Sequence, residues 1–148
     1  MCHTRWRMDE LWLIGRLLFG LTFVASGVGH FVDLDASTAS AQAKGIGPAR
    51  QGVIASGAAY VVGGVSVILG LWGDLGALVL IVTLLPVTFL VHKFWAERDP
   101  AMRRAEQSAF LENIALIGGA VVLFSFFARD TFGAGLPYTL TDGLFSFR

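Results

Sequence analysis

Cysteine is nearly absent from this chain of 148 residues. Cys2 stands alone, which excludes an intrachain disulfide, a zinc site built on a cysteine pair and C-x-x-C-H haem attachment. Charge is scarce as well: 15% of residues, against about 25% in an ordinary soluble domain. Lys plus Arg number 11 and so do Asp plus Glu, so no basic excess exists to neutralise phosphates. That balance removes the electrostatic case for a nucleic-acid partner. No Ser-His-Asp elbow, phosphate loop or metalloprotease motif is found, and the length leaves no room for two ordinary domains. What the chain does hold is apolar. It is 55% hydrophobic with a mean hydropathy of +0.66, and the apolar residues come in long runs.

A membrane-crossing helix needs about 20 mostly apolar residues. Four stretches qualify: 11–31, 53–72, 75–94 and 109–128. Only Arg16, Lys93 and Glu112 among the charged residues fall inside them. The first stretch is too long for a signal-peptide core and is read as retained. The expected fold is an all-α membrane protein, a single antiparallel four-helix transmembrane bundle with the lipid bilayer as its partner and both termini on one side. Gly73-Asp74 reads as a tight hairpin between the second and third spans. Val32 to Gly52 reads as a longer loop broken by Gly45-Ile46-Gly47-Pro48. Asp99-Pro100 has the form of an N-cap and first helical position, so the fourth helix is expected to start before the membrane, with Arg103, Arg104 and Glu106 on an interfacial turn. Pro86 is expected to kink the third span.

Arg5, Arg7, Arg129 and Arg148 count toward the terminal side. Lys44, Arg50, Lys93, Arg98, Arg103 and Arg104 count toward the loop side, so the positive-inside rule leans toward cytoplasmic loops. Starting at Met8 instead of Met1 strengthens that lean. Trp12 and Trp72 are expected at the terminal-side interface and Trp95 at the other.

Folding the spans up and down sorts their polar residues by depth. His30 ends the first span, Tyr60 lies about 10 Å into the second, His92 closes the third, and Glu112 and Asn113 open the fourth. All five are expected around one polar pocket in the loop-side half. Arg16 lies near the opposite face as a second intramembrane charge, for which phospholipid anchoring or carbonyl pairing is favoured over catalysis. Three stripes at helical spacing are expected to face inward: Arg16, Gly20, Phe23, Gly27 and His30; Ser56, Tyr60, Gly63, Val67 and Gly70; Glu112, Ala115, Gly119, Val122 and Phe126. Each polar residue also has an ordinary structural reading: interfacial His, a Tyr hydroxyl on a carbonyl, Asn113 as helix glue, Glu112 near the headgroups.

The residues Gly15-Arg16-Leu17-Leu18-Phe19-Gly20, Ser26-Gly27, His30, Gly63-Gly64, Leu69-Gly70, His92-Lys93-Phe94-Trp95 and Phe110-Leu111-Glu112-Asn113-Ile114-Ala115-Leu116-Ile117-Gly118-Gly119 recur in order in a known family. Over residues 8–130 the chain resembles DoxX, a family of small four-span bacterial and archaeal membrane proteins. Members often carry Glu three residues before the Gly pair of the second span, where Tyr60 stands here. The resemblance implies a plasma (inner) membrane location and an association with quinone-linked or sulfur-redox respiratory proteins.

Three functions follow as expectations. One is a redox-associated subunit in which a quinone head sits between His30, Tyr60 and His92. Another is a structural or assembly subunit whose polar cluster only ties helices together. The third is an oligomeric carrier of small solutes or protons, disfavoured because four helices enclose little volume. A homo-oligomer is compatible with all three. Bis-His haem and a zinc site from the two His and Glu112 are chemically reasonable, but nothing in the sequence enforces either geometry, so no metal is assigned.

Overall fold

The computed structural model describes residues 2–128 and 137–145. The expected contributions of Arg129 and Arg148 to the terminal side lie outside the described residues, as do the side chains of Arg5 and Arg7. Among the described residues every regular element is helical: α1 Cys2–Val32, α2 Leu34–Ala43, α3 Ala49–Leu69, α4 Gly73–Val91, a 3-10 turn Phe94–Ala96 and α5 Pro100–Phe127. Four of these reach across a bilayer by length and composition, within Met8–Val32, Ala49–Leu69, Gly73–Ala96 and Pro100–Phe127. Between 17% and 33% of each apolar window is buried inside the molecule, so most of its apolar surface needs lipid as solvent. The chain is an integral membrane protein.

α1 packs chiefly on α3, α3 on α4 and α4 on α5. Glycines set the closest approach. A Cβ on Gly64 would stand 2.7 Å from the carbonyl oxygen of Gly20, and one on Gly20 the same distance from that of Gly64. Gly27 meets the carbonyl of Gly57 in the same way, so two seven-residue glycine repeats face each other along the α1–α3 seam. Only a residue without a side chain permits backbones this near. α5 meets α1 differently, through large side chains: Trp12 against Phe126 and Phe127, and Phe19 against Gly119. The core between them holds Phe23, Tyr60, Val67, Ala77, Leu80, Leu84, Leu123 and Phe127.

Several expectations are corrected. The stretch expected as a loop from Val32 to Gly52 contains α2 and the start of α3. The Gly45 breaker acts as a helix stop. Gly45, at φ +74°, donates to Gln42 O and Ile46 donates to Ala41 O, the paired bonds of a Schellman cap. The hairpin is Gly70–Trp72, with Gly73 and Asp74 already in the first turn of α4. α4 runs through Pro86 and stops at Val91, short of residue 94. α5 begins as its sequence indicates: Asp99 accepts a hydrogen bond from Met102 N at 2.9 Å, with Pro100 next to it.

The inward stripes of α1 and α3 are seen, with Arg16, Gly20, Phe23, Gly27, Tyr60, Gly63, Val67 and Gly70 buried. The stripe expected on α5 is not. Glu112, Ala115, Val122 and Phe126 are exposed, and the inward side carries Leu116, Ala120, Leu123 and Phe127. Gly119 of that stripe is half-buried against Phe19, but because α5 does not approach α1 by backbone the gap there is filled by bulk, and small residues occur on both sides of the helix.

Candidate functional site

A cleft of about 850 Å³ opens between α2, α3 and α4. That lies within the usual range for small-molecule sites. Its walls are mostly small or apolar, Ala49, Gly52, Ala55 and Ala59 from α3 and Pro86, Val87 and Leu90 from α4. The size of the void follows from the α3 residues, since nothing lies within 4 Å of a Cβ built on Gly52.

Two imidazoles stand in the walls, His30 from the end of α1 and His92 just past the end of α4. Both are held by Nδ1. His30 Nδ1 lies 3.2 Å from Ser56 Oγ. Ser56 has one hydroxyl proton and also lies 3.1 Å from Val53 O as its donor. If that bond holds the proton, His30 Nδ1 is the donor to Ser56 and Nε2 is left as an acceptor. His92 Nδ1 is 2.8 Å from Glu106 Oε2, while Glu106 Oε1 is 2.6 Å from Lys44 Nζ. One carboxylate thus joins α5, the end of α4 and the residue that caps α2.

Of the five residues expected around one pocket, the structure brings His30 and His92 to the cleft. Tyr60 lies behind His30, at 5.6 Å between ring centroids, buried against Phe23 and outside the lining. Asn113 is half-buried on α5 and does not line the cleft. Glu112 points away: it is exposed and accepts from Ser108 Oγ at 3.2 Å. The α5 helix is turned by about one residue from the expected phase, roughly 100°, which carries Glu112 off the inner side. Sequence reasoning missed Glu106 as a site residue. Its position six residues before Glu112 on the interfacial turn was legible, but its partner Lys44 sits on a helix end that read as loop. Among the described residues no group of three His, Cys, Asp or Glu is arranged to hold a metal ion.

Arg16 belongs to the other end of the bundle and is fully buried, so it neither snorkels nor anchors a lipid headgroup. It pairs with carbonyls. Nε donates to Val67 O at 3.0 Å and Nη2 to Ile68 O at 2.7 Å; Nη1 donates to Tyr138 O at 3.1 Å and Pro137 O at 3.3 Å. The next two carbonyls of α3, on Leu69 and Gly70, accept from Leu140 N and Thr141 N. Ser66 O and Val67 O also accept from Leu71 N and Gly70 N at the left-handed Gly70 cap, so the last turn of α3 is satisfied in full. Asp74, also fully buried, accepts from Phe145 N at 2.6 Å and Leu75 N at 2.8 Å. Segment 137–145 is thus pinned across this end by an arginine and an aspartate.

A family model described as DoxX matches residues 11–93, more than half of the chain, from the first span to the residue after His92. No curated protein and no solved structure matches.

Proposed function

The chain belongs to the DoxX family of membrane proteins, and on that premise we propose that it is a redox-associated membrane subunit whose cleft takes the ring of a lipid-soluble quinone. The observation that carries this reading is the pair of imidazoles in one cleft, each anchored through Nδ1. Such an arrangement leaves Nε2 of each neutral ring as an acceptor for the hydroxyl of a bound quinol, and a quinone carbonyl is met when the imidazole carries a second proton. The flat floor of Ala and Gly suits a planar ring, and the Val, Leu and Pro side chains suit its apolar body. The natural redox partner is a respiratory or sulfur-metabolising oxidoreductase in a prokaryotic plasma membrane.

Binding of a short-chain quinone analogue to the purified protein in mild detergent tests it. His92→Ala is expected to weaken binding about tenfold, the equivalent of roughly 1.4 kcal/mol for one lost hydrogen bond. Gly52→Leu, which enters open space, is expected to block binding while leaving thermal stability unchanged. Wild-type affinity in both variants would reject the quinone site.

A second reading is favoured by the same bonds: His30 on Ser56 and His92 on Glu106 also tie elements together. If that is their whole role, His92→Ala lowers membrane accumulation and changes no quinone-linked activity.

The proposed topology has both termini on one side and the Gly45 connection in the cytoplasm. A reporter fused at Gly45 is expected to give the opposite compartment from one at Gly73; equal signals would reject it.

A further inference from the structure

We infer that α2 is the lid of this cleft and that Glu106 is the positioning residue that couples its seating to His92. This rests on reading the cleft as a ligand site, and its test needs no ligand. α2 supplies Ala36, Ser37, Ser40 and Ala41 to the cleft wall. It is short and weakly embedded: ten residues, of which Thr38 alone is buried. A helix of that length does not persist in water unaided, so its attachments decide where it sits.

Those attachments are unequal. At the first turn Asp35 pairs with Arg50 at 2.8 Å, with side chains 93% and 56% exposed, so solvent screens the pair and it contributes little. At the far end Lys44 pairs with Glu106 at 2.6 Å, with side chains 28% and 16% exposed. That pair is shielded and closes the distance between the end of α2 and α5. The same carboxylate holds His92 Nδ1 with its second oxygen. A small hollow of about 180 Å³ adjoins the clamp, bordered by Lys44, Lys93, Glu97 and Glu106. Lys93 and Glu97 are therefore the other charged groups around the clamp, and they stay unchanged in the test.

When α2 is seated, Lys44 and His92 share one carboxylate and His92 is fixed in the wall. When α2 lifts, Lys44 withdraws and Glu106 is free to shift, so His92 loses its fixed position. Coupling of this kind is reciprocal: whatever fixes His92 from the cleft also favours the seated lid.

Amide hydrogen exchange over residues 37–44 in detergent-solubilised full-length protein reads the lid directly. Lys44→Gln and Glu106→Gln are each expected to accelerate it at least tenfold, with exchange across α3 as the control for intact folding. Lys44→Arg, which keeps the charge, is expected to stay near wild type, and so is Asp35→Asn. His92→Ala is expected to accelerate exchange in α2 in the native background and to add nothing in the Glu106→Gln background. Wild-type exchange in both Lys44→Gln and Glu106→Gln overturns the lid. Additive effects of His92→Ala and Glu106→Gln overturn the coupling. Failure of the quinone analogue to bind counts against the ligand, and the exchange results stand apart from it.

Discussion

Arg16→Met is expected to cost on the order of 3 kcal/mol or more and to reduce membrane accumulation several-fold. The reason is what the guanidinium leaves behind. Ile68 O, Pro137 O and Tyr138 O each lose a donor, and Val67 O keeps only the bond from Gly70 N at 3.4 Å, around a side chain that is itself fully buried. A buried unsatisfied polar group costs about 1–3 kcal/mol. Arg16→Lys is expected to recover less than half of the loss, because one ammonium on a flexible stem cannot meet carbonyls of α3 and of the 137–145 segment together. Removing residues 137–148 strips Leu69, Gly70 and Asp74 of partners as well. Combined with Arg16→Met it should cost less than the two separate losses added, since both act on one network. Thermal unfolding in mild detergent measures all four proteins. An Arg16→Lys protein as stable as the native one would overturn the carbonyl-fork account.

Gly64→Leu is expected to be comparably severe, on the order of 3 kcal/mol, the upper end for forcing bulk into a packed contact. Its Cβ would face a backbone oxygen, which cannot rotate aside, so α1 and α3 must separate along their whole seam. Gly20→Leu is expected to match it, since Gly64 O is equally close. Gly63→Leu meets the Leu80 side chain at 2.8 Å and Gly76 O at 3.1 Å and should follow closely. Gly119→Leu meets only the ring of Phe19, at 3.0 Å, and should be milder. Gly118→Leu enters open space and Leu69→Ala trims a side chain 42% exposed, so both should be near neutral. Melting temperatures in one detergent rank them, and a Gly118→Leu loss equal to that of Gly64→Leu would refute the assignment of the seam.

The spans were legible because a bilayer imposes a long apolar run that few other structures need. The faces of α1 and α3 were legible because glycine and a buried polar residue recurred at helical spacing, as in Gly20, Gly27 and His30. α5 misled for a physical reason: it meets α1 through side chains and not by backbone, with Gly119 against the Phe19 ring and Gly118 in open space, so the glycine pair does not fix its face as it does on α1 and α3. α2 was hidden because its Ala, Ser and Thr residues have neither the apolar run of a span nor a strong amphipathic period. With α2 hidden, the position of Lys44 could not be known, and Glu106 had no visible partner. Arg16 was recognised as needing partners, but two of those partners lie more than 100 residues away, and no local pattern encodes such a pairing. His30 and His92 came to one cleft as depth alone suggested; depth could not tell which side of α5 Glu112 would occupy.

The pinning of residues 137–145 has a meaning in time as well as in space. Arg16 is made early, and the carbonyls of Pro137 and Tyr138 follow 121 and 122 residues later. At a synthesis rate of roughly 5–20 residues per second, that interval is roughly 6–24 s. During it the first span sits at the membrane with a cation that has at most the carbonyls of α3 to bind. Asp74 waits likewise for the amide of Phe145, 71 residues on. The nascent chain therefore holds an arginine and an aspartate without their full set of partners until the segment after the fourth span has been made, so this end of the bundle is the last to close.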